Sequence, residues 1–269
     1  MLTRAQSARI RELLRDKRAR NAEGAFIIEG AKPVCDVLLH HPASVQSLVL
    51  AAEYERRESH QQRALRQSLG IPSFRSSSRI FSAFSNLETP QGILAVVNQP
   101  RWNQETLFGQ SRLFGLYGEQ LQDPANVGAI IRTAAALNID ALWLTPESAD
   151  IYNPKVVRAS AGAVLSLPIF IVEDVASLTK NGVVLFAAEA SEGQTVSMET
   201  IRTIPKRMIV AVGNESRGLS LHTIKQVACR FTIPLSRHIE SLNVAATAAI
   251  ALHYLRRLDA EDEEGIRRR

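Results

Sequence analysis

The sequence predicts an α/β protein built from two successive domains. Short apolar runs of strand length alternate with helical patterns. That alternation occurs twice, on either side of one polar stretch without periodicity, NQPRWNQETLFGQS (98–111). With 269 residues, 45% of them apolar, the chain also has material for a substantial buried core.

The elements follow in order. A basic amphipathic helix covers residues 1–20, with Ile10, Leu13 and Leu14 on its apolar side. Ala25–Glu29 (AFIIE) reads as a strand, Ala31–Leu39 as a helix and Val45–Leu50 as a strand. Glu53–Leu69 reads as one long charged helix stopped by Gly70, followed by strands at Ile71–Phe74 and Ile93–Val97. Residues 1–97 thus form a first α/β domain, and 98–111 the linker. The second domain, 112–258, has strands at Arg112–Tyr117, Ala141–Leu144, Leu167–Ile171, Val183–Ala188, Met208–Val212 and Phe231–Ile233. Its helices are Val127–Leu137, Asn153–Ala161, Leu221–Val227 and Leu242–Arg257. Runs such as VVLFAA and MIVAV suit a parallel sheet covered on both faces. The charged tail, 259–269, should fray.

Several function classes fall away. No apolar run reaches the ~18 residues of a membrane span, and the first twenty residues lack the apolar segment of a secretory signal. Cys35 and Cys229 supply neither a disulfide framework nor a zinc site, and the six histidines lack metal-ligand spacing. These features point to a soluble, cytoplasmic protein with no metal and no membrane. The dinucleotide fingerprint, the nucleophile elbow and the H-E-x-x-H motif are missing. Gly213-Asn-Glu-Ser-Arg-Gly218 has the glycine spacing of a phosphate-binding loop, but Leu219 stands where the neutralising lysine belongs.

Charge is concentrated. Residues 1–20 hold seven basic and two acidic residues, a surplus equal to the whole net charge of +5. Such a cluster suits a polyanion, most often nucleic acid, or else is the solvated face of an amphipathic helix.

Polar residues gather after three strands, at the carboxyl ends where open α/β sheets place ligands. After the first, Asp123-Pro-Ala-Asn126 leads into a helix, with Asn126 at the expected N-cap and Arg132 six residues on. Arg132 is either an ion-pair partner or an anion clamp. After the second, Gly213 admits a ligand or another backbone at close range, and Asn214, Glu215 and Arg217 crowd the turn before Gly218. After the third, Ser241 is placed to cap an alanine-rich helix that carries Asn243 in its first turn.

Taken together, these segments resemble the three motifs of the SpoU (TrmH-like) branch of the SPOUT RNA methyltransferases. The first motif matches Asn126 and Arg132. The second matches Gly213, Glu215, Gly218 and Leu219; the third matches Ile233, Pro234, Ser241, Leu242, Asn243 and Val244. Ile151–Lys155 and Val157–Gly162 also look like the family. One departure is Arg237, where many relatives have glycine. Residues 1–97 look like the substrate-binding domain of many members, similar to the ribosomal L30e/L7Ae fold.

The resemblance implies a trefoil-knotted parallel sheet, a homodimer with an active site completed across its interface, and S-adenosyl-L-methionine as cofactor. Ala188, Glu189, Ala190, Gly213, Ile233 and Leu242 would hold the cofactor largely through backbone groups. Methyl transfer would go to a ribose 2′-hydroxyl, in ribosomal RNA (23S) by preference and tRNA as the alternative. A base methylase and a catalytically silent RNA-binding protein are the rivals. Arg132, Asn126, Glu215, Ser241 and Asn243 form the catalytic set, with Arg132 clamping the acceptor and the general base left open. Arg15, Lys17, Arg18, Arg20 and Lys32 are the RNA contacts.

Overall fold

A computed structural model describes residues 1–85, 87–189, 195–236 and 240–261. Ala190, Arg237 and residues 262–269, named above, lie outside them. The chain divides into two compact units, Met1–Arg101 with Asp150–Leu165, and Trp102–Ala149 with Ser166–Arg269.

In the first unit four apolar runs become strands β1 (Ala25–Glu29), β2 (Val45–Ala51), β3 (Ser73–Ser76) and β4 (Ile93–Asn98). They form one mixed sheet ordered β1-β4-β2-β3, antiparallel except for the β2–β3 pair. The expected strand at Ile71–Phe74 is shifted to Ser73–Ser76, where its backbone pairs with Leu48–Ala51. The basic segment is two helices, Arg4–Arg15 and Lys17–Glu23, because Asp16 is extended and caps the second through its bond from the Arg18 N–H. Glu53–Leu69 also breaks in two, into Ala52–Arg57 and His60–Ser68. Ser59 and Gln62 form a reciprocal capping box that restarts the helix. Ile10, Leu13 and Leu14 pack on Ile27, Val49 and Leu94.

Asp150–Leu165, expected inside the second domain, packs in this first unit. The cause is specific. Arg20, only 2% exposed, meets Asp150 Oδ2 through Nη2 at 2.5 Å and Nε at 3.0 Å, and donates from Nη1 to the Leu13 carbonyl at 2.7 Å. The Phe26 and Tyr152 rings lie 4.8 Å apart between centroids.

The second unit is ordered by β5 (Leu113–Gly118), β6 (Leu142–Leu144), β7 (Ile169–Ile171), β8 (Val184–Ala188), β9 (Val196–Ser197), β10 (Thr203–Pro205), β11 (Arg207–Val212), β12 (Cys229–Thr232) and β13 (Asp259–Glu261). Seven of them make a parallel sheet ordered β7-β6-β5-β11-β8-β12-β9. β10 and β13 pair separately, so the first three residues of the tail are not frayed. Within 98–111, Gln104–Phe108 is helical and sends Leu107 and Phe108 into this unit's core around Trp143. Gly115 is required there, since a Cβ would come within 2.4 Å of the Trp143 ring. β11 enters between β5 and β8, which brings the carboxyl ends of β5 and β11 side by side, with β12 one strand beyond β8. Among the described residues no helix is long and apolar enough to cross a membrane, and no acidic, histidine or cysteine cluster could hold a metal.

Candidate active site at three strand ends

The loop after β5 enters the helix Pro124–Ala136. Its N-cap is Asp123, whose side chain accepts from the Ala125 N–H, with Pro124 at the first helical position. Asn126 is therefore not the cap. It lies one turn in, 8% exposed, and its side chain is free to reach the other loops. The helix after β12, Val244–Leu255, is likewise capped by Asn243 and not by Ser241. Asn243 Oδ1 accepts from the Ala245 and Ala246 N–H groups at 2.9 and 3.3 Å.

That cap fixes the direction of a hydrogen-bond chain through all three loops. With its oxygen committed to the helix, Asn243 must donate from Nδ2, and it does so to Asn126 Oδ1 at 2.8 Å. Asn126 must then donate in turn, and its Nδ2 reaches Glu215 Oε1 at 3.0 Å. Glu215 is the terminal acceptor. Burial opposes its ionisation, but the bond from Asn126 and the backbone N–H groups of Glu215, Asp123 and Gln122 outweigh it, so its carboxyl lies below its ordinary value.

The loop after β11 is rigid in its own right. Asn214 and Gly218 exchange two backbone bonds of 3.1 and 2.9 Å. A Cβ on Gly213 would lie 2.2 Å from the Gly218 carbonyl carbon, so it is another backbone that requires the glycine here. Asn214 accepts from the Ser216 and Arg217 N–H groups and donates to the Gln120 carbonyl at 2.8 Å, while Glu119 accepts from the Ser220 N–H at 3.0 Å. The turn is thus pinned to the β5 loop at several points.

At the ends of β8, β11 and β12 lies a cavity of about 600 Å³. Ala188, Glu189, Gly213, Ile233 and Leu242 line it, as do Glu215, Ser241 and Asn243. Asn126 stands behind Glu215. Sequence reasoning missed Thr232, Glu240 and Thr247 in the wall; Thr247 lies one helical turn past Asn243, a periodicity that could have indicated it. Glu189 meets Arg230 Nε at 2.5 Å. Arg132 does not line the cavity. It is exposed and, among the described residues, has no hydrogen bond or ion pair, which removes the ion-pair reading. Of the RNA candidates, Arg20 is a correction: its guanidinium is buried on Asp150 and Leu13 and cannot reach a phosphate. Arg15, Lys17, Arg18 and Lys32 are exposed without an ion pair among the described residues.

Residues 114–253 match the model of the SpoU rRNA Methylase family, and residues 8–95 match an MRM3-like substrate binding domain. The chain belongs to the SpoU rRNA methylase family. Within the family, 23S rRNA (guanosine(2553)-2′-O)-methyltransferase RlmP of Bacillus subtilis is 31% identical over 248 residues, covering 90% of this chain and 93% of that protein. The 23S rRNA (uridine(2479)-2′-O)-methyltransferase of Streptomyces viridochromogenes is 26% identical, over 90% and 85% of the two chains. Among solved structures, an AdoMet-bound rRNA methyltransferase from Sinorhizobium meliloti superposes with a TM-score of 0.80 at 26% identity, covering 96% of each chain. The SpoU signature residues therefore sit on the fold those relatives use, with Asn126, Glu215 and Asn243 joined in one network.

Proposed function

We propose that this SpoU chain transfers a methyl group from S-adenosyl-L-methionine to a ribose 2′-hydroxyl of ribosomal RNA, in the cytoplasm, as a homodimer. The observation that carries the reading is the cavity at the ends of β8, β11 and β12, with three motif loops tied through Asn243, Asn126 and Glu215. The residues suit the cofactor. Ala188, Val212, Ile233 and Leu242 give an apolar wall for a flat base, and Glu215 and Glu240 present carboxylates to a cationic sulfonium. The volume is in the range of small-molecule sites.

The cofactor, when bound, supplies an activated methyl group. What the chain must add is position and charge. The Asn243–Asn126–Glu215 network holds the loops in one arrangement, and alignment of reacting groups contributes several kcal/mol to such a transfer. Arg132 clamps the acceptor phosphate and the developing oxyanion; a permanently cationic guanidinium is a poor base but a strong planar donor. Arg132 lies off its own chain's cavity, on an exposed side of the helix shared with Ala125 and Ala136. We assign it to the cavity of a second copy, docked through this small-residue face.

The test is methylation of an unmodified 23S rRNA transcript with labelled cofactor, read by alkali-resistant linkages, since a methylated 2′-oxygen cannot attack its own phosphate. Mixing the inactive Arg132→Ala and the cavity-filling Thr247→Trp variants should restore activity through hybrid dimers. No alkali-resistant label with the parent protein would refute the activity, and no recovery on mixing would refute the shared site.

A further inference from the structure

The first unit contains a second cavity, of about 260 Å³, between the helix Arg4–Arg15 and the β2–β3 side of its sheet. Its floor is apolar, with Ile10, Val49 and Phe74, and its rim carries Arg9, Gln46 and Ser47. Gln46 and Ser47 are consecutive, and in an uninterrupted strand they would point to opposite faces. Here the strand is bulged. Val45 pairs with Val97 and Ser47 with Val96, so Gln46 is an extra residue on β2. Bulges re-aim side chains, and this one turns both residues toward the same space.

The re-aimed amide is also held in place. Gln46 Oε1 accepts from Arg9 Nη2 at 2.7 Å, Gln46 Nε2 donates to Asn98 Oδ1 at 2.6 Å, and Arg9 Nε meets Glu23 at 2.6 Å. These bonds leave capacity on both groups: one N–H and one lone pair on the amide, and three N–H groups on the guanidinium. A ligand filling the space needs an apolar flat body and an edge that mixes donors and acceptors. A lipid would leave the rim unpaired. The volume falls just under that of pockets for drug-sized molecules, which suits one ring system and not a whole nucleotide. The helix above the cavity bears exposed Arg4, Arg11 and Arg15, without ion pairs among the described residues, so a polyanion is the ligand that would bring such a ring.

We infer that this cavity takes one unpaired nucleobase of the substrate RNA, stacked near Phe74 and read at its edge by Gln46 and Arg9. Recognition of RNA commonly works this way, with a splayed base laid on an aromatic side chain. The inference rests on the RNA reading of the chain, and adds a second contact point remote in sequence from the methyl-transfer loops.

The test uses the full-length protein and an unmodified 23S rRNA transcript, with affinity measured across a salt series. Ser47→Leu fills the cavity without touching a charge. It should weaken binding about tenfold, the scale of one stacked base, with the salt slope unchanged because no phosphate contact is lost. Gln46→Ala, which adds no bulk, should weaken binding in the same way and serves if Ser47→Leu does not fold. Reversing Arg15, Lys17 and Arg18 to Glu should instead flatten the slope. Parental affinity in a folded Ser47→Leu or in Gln46→Ala overturns the nucleobase site and leaves the RNA reading intact. No binding by the parent protein overturns both.

Discussion

Arg20 and Arg132 are each an arginine on a helix, in Lys17–Glu23 and Pro124–Ala136, and they end in opposite surroundings. Arg20 is 2% exposed and spends its guanidinium on Asp150 and a backbone carbonyl. Arg132 is exposed and has no partner among the described residues. The sequence placed Arg20 on the RNA; it left Arg132 between ion pair and clamp on the residues alone, and made it the acceptor clamp only through the family resemblance. The local sequence is no guide to either, because what decides is whether a counter-charge arrives from elsewhere. At Arg20 it comes from a residue 130 positions away. A cation left without one on an exposed helix is available to a ligand.

Removing the counter-charge should break that contrast most forcibly. Asp150→Ala leaves the Arg20 charge buried and unbalanced, a change that costs about 3–5 kcal/mol. Denaturant unfolding should show a lower midpoint at constant slope. The double variant Arg20→Met, Asp150→Leu should recover most of the loss, because the buried charge itself is gone. If Asp150→Ala unfolds like the parent, the ion pair is not what fixes the Asp150–Leu165 segment in the first unit.

Arg132→Ala should do the reverse. Stability should stay within about 0.5 kcal/mol of the parent, as for an exposed side chain without partners. Methyl transfer should fall about 100- to 1000-fold, the scale of one removed oxyanion donor. Cofactor affinity by calorimetry should be unchanged, and Arg132→Lys should recover little, lacking the planar fork. Transfer at the parental rate would exclude the clamp.

The same distinction explains how far the sequence could be read. Strands with local apolar runs, such as AFIIE and MIVAV, fall within a residue or two of their expected bounds, because the signal is contained in the strand itself. The three polar loops converge as expected, since strand ends are set by those runs. Capping was misjudged at both site helices: Asp123 followed by Pro124 is a stronger start than Asn126, and Asn243 displaces Ser241. Ser59 and Gln62 had the spacing of a capping box, hidden in a charged run. The placement of Asp150–Leu165 and the bulge at Gln46 depend on pairing between distant segments and leave no local trace.

Asn126 sharpens the comparison inside the site. It is buried like Arg20 but, unlike either arginine, uncharged, with each end of its amide used. Asn126→Asp keeps the shape and the acceptor for Asn243 but sets a second carboxylate against Glu215. One of the two must then take up a proton to restore the bond. Cofactor affinity should fall roughly tenfold at neutral pH, in keeping with a broken buried bond, and recover as pH is lowered. Affinity that stays flat with pH in Asn126→Asp would show that the Asn126–Glu215 contact does not hold the loops.

The smallest effect concerns Glu215 alone. Its carboxyl lies below the ordinary value of 4.5 because the bonds it accepts outweigh its partial burial. A group depressed on folding contributes stability that is complete above its unfolded value and disappears as pH falls through the folded one. The loop tie should therefore be intact at neutral and mildly acidic pH, and weaken only below about pH 4.5. Asp174 is also depressed, by the Ala176 N–H and by His222, so the acid response of the whole protein has more than one source. Glu215→Gln separates them. Glutamine keeps an oxygen to accept from Asn126 but cannot be protonated in this range, so the variant should bind cofactor slightly less well at neutral pH and lack the part of the acid decline that belongs to Glu215. Superimposable pH profiles of cofactor affinity for the parent and Glu215→Gln would mean that ionised Glu215 is not the acceptor on which the chain from Asn243 ends.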